Sequence, residues 1–256
     1  MYSLRIKFMK NMDILIKNKT ILVTGSSGFL GHKIISILKY NNKLILVDKI
    51  NPKKFKYMKN ITFYKVDFLD EKNFLNKIRE IKKRYKKIDH IINLAAITGD
   101  QIKLINKKDI WKSVYEVNLY APFLISSELK KNLLKSKSPS ILNISSIYGA
   151  VQPKFDIYKN TKIKNSFDYS SSKSGLIYMS KWLAKKYSPK IRVNCISPGG
   201  IIRNQPKNFV KNYSSKTLLK RMANENDLIG PILFFLSDHS KYITGQNLIV
   251  DGGFSI

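Results

Sequence analysis

A chain of 256 residues with 43% hydrophobic and 25% charged residues has the balance of one large globular domain or two small ones, which excludes a disordered or fibrous protein. Its single cysteine, Cys195, excludes an intramolecular disulfide, and the three well-separated histidines (His32, His90, His239) offer no metal-ligand spacing. The net charge of +30 admits an anionic partner, but its lysines are spread along the chain among many Asn and Ile, as A/T-rich codons would produce, so no specific nucleic acid is expected.

The first 18 residues carry Lys and Arg but no unbroken apolar stretch of signal-peptide length. No window approaches the roughly 18 apolar residues of a membrane span, so a cytoplasmic protein is expected. Met9 and Met12 are alternative starts, and the first strand needs nothing before about Lys19. Residues 1–18 therefore read as a dispensable N-terminal extension ahead of a domain at 19–256.

In chain order, strand 20–24 runs into glycines, and helix 29–40 follows with Leu30, Ile34, Ile37 and Leu38 on one face. Strands 44–47 and 61–66 precede an amphipathic helix from 71 to about 87, with Phe74, Leu75, Ile78 and Ile81 inward. Strand 91–94, a long helix from about 109 to 134, strand 141–144, helix 168–187 and strand 192–196 continue the alternation. Helix 227–237 and strand 248–250 close it. This order predicts an α/β fold: a single-domain Rossmann fold whose doubly wound, seven-stranded parallel sheet carries helices on both faces. Proline-containing loops at 151–167 and 198–216 are the expected borders of a substrate pocket.

Thr24-Gly25-Ser26-Ser27-Gly28-Phe29-Leu30-Gly31 joins the first strand to the first helix. Glycines there permit a sharp turn, bring backbone N–H groups to a diphosphate at the positive end of the helix, and let helix and strand pack closely. Asp48 ends the second strand 23 residues after Gly25. A carboxylate there accepts from both ribose hydroxyls and repels a 2′-phosphate, which favours NAD; the neighbouring Lys49 leaves NADP possible. Asp67 at the end of the third strand reaches an adenine edge or, equally, serves the start of the next helix.

Tyr169 and Lys173 lie four apart, on one helix face. A phenol with an ordinary pKa near 10 is a poor proton-transfer group at neutral pH, and a nearby ammonium stabilises its anion. The surrounding motifs run in order: TGSSGFLG at 24–31, NLAA at 93–96, VNL around Asn118, NISSIYG at 143–149, YSSSK at 169–173, RVNCISPGG at 192–200 and YITGQNLIVDGG at 242–253. On these residues the chain resembles the short-chain dehydrogenase/reductase family over 19–256.

The resemblance implies an NAD(P)-dependent oxidoreductase acting on CH–OH groups. Tyr169 would be the general acid/base, Lys173 would lower its pKa and hold the nicotinamide ribose, and Ser146 would hydrogen-bond the substrate oxygen. Asn118 would hold a water of a proton relay. Cofactor contacts would come from Thr24, Gly25, Ser27, Gly28, Phe29, Leu30, Gly31, Asp48, Asp67, Phe68, Ala95, Ala96, Lys173, Pro198, Gly199 and Ile201, with Asn93 supporting the adjacent strand. The family also implies a homodimer or homotetramer. Ser145 competes with Ser146 because strand neighbours alternate sides; Asn118 could be only a buried polar residue, and Cys195 only a core residue.

Two features depart from the short reductase branch. The glycine spacing and the 23 residues separating Tyr169 from Ser146 resemble the longer sugar-nucleotide epimerase and dehydratase branch. The inserted segment at 150–168 must pass the substrate mouth, and its Gln152, Tyr158, Asn160, Thr161 and Asn165 suit a polyhydroxylated substrate better than an acyl chain. With PGGI at 198–201, QPKNF at 205–209 and Tyr213, the chain resembles dehydrogenases of surface-sugar and flagellin modification, of the flagellin modification protein A type. Three alternatives stay open: a 3-oxoacyl-carrier-protein reductase, an epimerase or dehydratase that recycles its nicotinamide, and a non-catalytic nucleic-acid-binding protein on the same fold.

Overall fold

Runs of β-branched and aliphatic residues form seven strands: β1 (Thr20–Thr24), β2 (Lys43–Asp48), β3 (Ile61–Lys65), β4 (His90–Asn93), β5 (Ser140–Ile144), β6 (Arg192–Pro198) and β7 (Asn247–Val250). All pair in parallel, in the order β3-β2-β1-β4-β5-β6-β7. This computed structural model describes residues 16–55, 58–99 and 106–256. Met9, Met12 and residues 1–15 of the N-terminal extension lie outside the described residues. Ile16, just after them, is buried in the core, and its carbonyl accepts from Asn42 Nδ2 at 2.8 Å.

The pleat sends alternate strand residues to opposite faces, and each face is covered. Leu22, Ile45, Val47, Ile91 and Ile141 pack with α2 (Glu71–Arg84), α4 (Ala121–Glu128) and α6 (Phe167–Tyr187). Ile21, Val23, Leu44, Leu46, Ile92 and Leu142 pack on the other side with α1 (Phe29–Leu38) and α8 (Glu225–Leu236). The result is the expected doubly wound Rossmann fold. A third, smaller cluster of Ile147, Ile157, Phe209, Tyr213, Met222 and Phe254 joins the inserted segment to the C-terminal part of the chain.

Two elements differ from the sequence expectation. The long helix expected over 109–134 is broken into α3 (Lys107–Tyr115), a π-helical turn (Glu116–Tyr120), α4 and the short α5 (Lys130–Leu133). Pro122 has no N–H to donate into a continuous α-helical ladder, and the wider turn ahead of it positions Asn118. The stretch 198–216, read as a loop from its prolines, contains α7 (Lys207–Ser215). Pro206 starts this helix, and Phe209 and Tyr213, one turn apart, bury its inner face. None of the helices among the described residues is long and apolar enough to cross a membrane.

The C-terminal ends of β1, β2, β4, β5 and β6 open into one cleft. The connection after β1 runs to β2 on one side and that after β3 crosses back to β4 on the other, so the sheet's switch point lies between β1 and β4. Its volume is about 790 Å³, within the roughly 300–1,000 Å³ of ligand and cofactor sites.

Candidate active site

One half of the cleft is built by the glycine turn. Gly25 adopts φ +65°, and a Cβ there would lie 2.6 Å from the Ala95 nitrogen, so no side chain fits. A Cβ at Gly31 would strike the Gly25 carbonyl, which keeps the start of α1 pressed against the end of β1. Gly28 caps α1 without a side-chain hydrogen bond, and no acid occupies the first turn. The positive end of this helix therefore meets the cleft through Gly28, Phe29, Leu30 and Gly31 with no acidic side chain in its first turn.

Asp48 is held beside it. Its Oδ2 accepts from the Ser27 amide at 2.8 Å and its Oδ1 from the Ile50 amide at 3.0 Å, while the Ser27 hydroxyl donates to the Ile50 carbonyl. Lys49 turns away to Asp67, with its Nζ 2.7 Å from Asp67 Oδ2. Burial pushes the Asp67 carboxyl up, but the Lys49 hydrogen bond, the Leu69 amide and the Lys49 charge together hold it below its ordinary range. Phe68, Ala95 and Ala96 complete this wall. An uncapped helix start, a Cβ-free turn and an oriented carboxylate fit the diphosphate and adenosine ribose of a nicotinamide dinucleotide.

Tyr169, Lys173, Ser146, Pro198, Gly199 and Ile201 line the other half. Tyr169 is half-buried; burial raises its phenol pKa, while hydrogen bonding with Ser146 and the charge of Arg203 oppose the rise. Lys173 is fully buried, its ammonium pushed down to about 8 by burial against a smaller opposing effect of Cys195. Its Nζ donates to the Ile144 carbonyl at 2.9 Å. Of the serine pair, Ser145 turns inward and donates to the Lys173 carbonyl at 2.8 Å, whereas Ser146 Oγ accepts from the Tyr148 amide at 3.2 Å.

Thr24, Asn93 and Asn118 stand behind the cleft wall rather than in it. Thr24 Oγ1 accepts from the Leu94 and Ala95 amides at 3.1 and 3.2 Å, tying β1 to the end of β4. Asn93 donates to Asn143 Oδ1 at 2.7 Å across neighbouring strands. Asn118 is fully buried; its amide exchanges hydrogen bonds with both the N–H and C=O of Ile97 at 2.9 Å and donates to Ser172 Oγ at 3.1 Å. Both side-chain donors are thus used within the protein. Cys195 is buried in β6, its thiol pushed up to about 12 by burial.

Of the inserted segment's polar groups, Tyr158 and Asn165 reach the cleft, whereas Gln152, Asn160 and Thr161 do not. Tyr158 donates to the Tyr148 hydroxyl at 2.7 Å, and Asn165 Oδ1 accepts from Ser170 at 3.0 Å. Lys216 pairs with Asp156 at 2.5 Å, and Lys154 donates to the Phe254 carbonyl at 2.7 Å. These ties make the segment a fixed wall. Sequence reasoning missed Tyr148, Lys164, Arg203 and Gln205 as lining residues. Proximity to Ser146 could have signalled Tyr148; the others lie in the loops 151–167 and 198–216 expected to border the pocket, and only packing shows which of their side chains enter it.

A family model described as enoyl-(acyl carrier protein) reductase matches residues 37–255. Post-translational flagellin modification protein A of Campylobacter coli is 30% identical, over 94% of this chain and 100% of that protein. A 3-oxoacyl-acyl-carrier-protein reductase of Buchnera aphidicola is 32% identical, over 93% of this chain and 98% of that protein. The crystal structure of a short chain dehydrogenase from Leptospira borgpetersenii with bound NAD+ superposes with a TM-score of 0.83 at 34% identity, covering 94% of each chain.

Proposed function

The chain belongs to the short-chain dehydrogenase/reductase family, NAD(P)-dependent oxidoreductases acting on CH–OH groups, and we propose that its substrate is a sugar or sugar derivative in surface-glycan or flagellin modification. The bound NAD(P) supplies or accepts the hydride. Tyr169 gives the substrate oxygen its proton in reduction and removes it in oxidation. Ser146, beside the phenol, orients that oxygen by hydrogen bonding. The Lys173 ammonium spends one of its three donors on Ile144, leaving the others for a ribose hydroxyl, and its charge favours the phenolate. A water relay past Asn118 would use the second lone pair of its Oδ1. Asp48 favours NAD over NADP by repelling a 2′-phosphate.

The observation that carries the substrate reading is the anchored wall at 150–168. Tyr158, Lys164 and Asn165 from that wall line the same cleft as the Ser146–Tyr169 pair and give it polar groups. Hydroxyl-rich substrates can meet the Lys164 ammonium and the lone pairs that Tyr158 and Asn165 keep beside their protein hydrogen bonds, whereas an acyl chain would desolvate them without replacement. The resemblance to flagellin modification protein A supports the same class. An assay of keto-sugar nucleotides and acetoacetyl thioesters with NADH and NADPH tests it. Sugar turnover without thioester turnover is expected; the reverse result refutes the sugar assignment.

The relatedness to 3-oxoacyl-acyl-carrier-protein reductases favours a second reading, ketoreduction of a carrier-bound acyl chain, with Phe209 and Met222 as its apolar contacts in the cleft. Either reading includes a homodimer or homotetramer, supported by the exposed Tyr178 and Trp182 on α6.

A further inference from the structure

Four cations line the cleft, and two are already committed: Lys49 to Asp67 and Lys173 to the Ile144 carbonyl. Lys164 comes from the inserted segment, on the substrate side. Arg203 is different. Its guanidinium carbon lies 5.3 Å from the centroid of the Phe29 ring, the first residue of α1. Its charge also reaches the Tyr169 phenol at the reacting end. The side chain therefore spans from the phosphate turn toward the reacting residues, and no carboxylate among the described residues forms a salt bridge with it.

The backbone below Arg203 is braced although the residue itself is exposed. Its amide donates to Gln205 Oε1 at 2.6 Å, Gln205 Nε2 returns to the Ile201 carbonyl at 2.8 Å, and the Ile202 amide bonds the Ala223 carbonyl at 2.7 Å. A guanidinium stacked on a ring face keeps its edge of N–H donors open, and that planar fork matches phosphate oxygens in pairs.

We infer that the Arg203 guanidinium closes over the cofactor's diphosphate opposite the N-terminus of α1, as a second jaw of that site. The helix start supplies backbone amides from one side and Arg203 a directed full charge from the other. The assignment rests on the family's use of NAD(P) and is independent of the sugar reading. It makes Arg203 a cofactor-positioning residue whose charge also lies within reach of the phenol.

Calorimetric titration of the full chain with ADP-ribose and with adenosine tests this without any turnover. Arg203→Ala should weaken ADP-ribose about tenfold or more while leaving adenosine within about twofold, since only the former carries the diphosphate. Arg203→Lys should recover part of the loss, because an ammonium keeps the charge but not the fork. An ADP-ribose affinity unchanged in Arg203→Ala overturns the inference, and so does an equal loss for adenosine. Absence of ADP-ribose binding by the unaltered protein would overturn both the inference and the cofactor reading beneath it.

Discussion

Lys173 lies one helical turn beyond Tyr169, yet its ammonium donates to the Ile144 carbonyl at 2.9 Å and sits 5.8 Å from the centroid of the Tyr169 ring. The ammonium stands over the face of the phenol ring as a cation–π contact rather than in a direct hydrogen bond. Burial dominates both groups, raising the phenol and lowering the ammonium to about 8. The cleft thus holds a protonated phenol at neutral pH, suited to giving a proton to a substrate oxygen.

Replacing the phenol by a phenyl ring removes the transferable proton and little volume. Tyr169→Phe should lower kcat by about 10²–10⁴, the usual contribution of a positioned acid or base. Cofactor binding, followed by fluorescence titration of the reduced dinucleotide, should stay within about threefold. Unimpaired turnover would remove Tyr169 from the chemistry.

The two reaction directions should respond oppositely to pH. Alcohol oxidation needs the phenolate, so with cofactor saturating its kcat/KM should climb with pH through neutrality; ketone reduction should stay flat there because the phenol is already protonated. Lys173→Ala removes the cation that favours the phenolate and should displace the oxidative limb to higher pH by about one unit or more. An unmoved limb would show that Lys173 does not act through its charge.

Asp48 is held at the cleft by the Ser27 and Ile50 amides, while the neighbouring Lys49 pairs with Asp67 instead. Asp48→Ala should shift the NADPH-to-NADH ratio of kcat/KM by about tenfold, equivalent to about 1.4 kcal/mol, in favour of NADPH. Steady-state kinetics with both cofactors decides it. An unaltered protein that already prefers NADPH contradicts the NAD preference.

His90, far from the cleft at the start of β4, bonds Ser140 Oγ through Nδ1 at 2.8 Å and leaves Nε2 buried without a partner. Burial, more than the nearby charges, pushes its pKa from 6.5 down to about 3. Between those values the unfolded chain takes up a proton that the folded protein refuses, so stability falls as pH drops from about 6.5 toward 3. The slope from this group approaches about 1.4 kcal/mol per pH unit. Urea unfolding at pH 7 and pH 4.5 should show a smaller pH dependence in His90→Leu, even if that variant is less stable at both. Equal dependence would place the acid lability elsewhere.

Local periodicity was enough for the sheet and its flanking helices, because alternation along a strand and a 3.6-residue stripe are written in consecutive residues. It failed at 109–134, where apolar spacing persists through Pro122 but hydrogen bonding does not, and at Lys207–Ser215, whose two buried aromatics were outweighed by nearby prolines. The glycine turn, Asp48 and the Tyr169–Lys173 spacing were equally legible. Each is a short-range requirement, for a turn, a strand end or a shared helix face.

Which polar atoms enter the cleft was decided only in three dimensions. Asn118 spends its amide donors on Ile97 and Ser172, Gln152 and Thr161 miss the cleft while Tyr158 and Asn165 reach it, and Arg203 meets a ring 174 positions away in the chain. Such placements depend on distant partners, as where Lys154 anchors the inserted wall to the Phe254 carbonyl. Residue order specifies the elements and the chemical groups they carry. Packing between elements sets the direction of each group and the solvent around it, and with them its acidity.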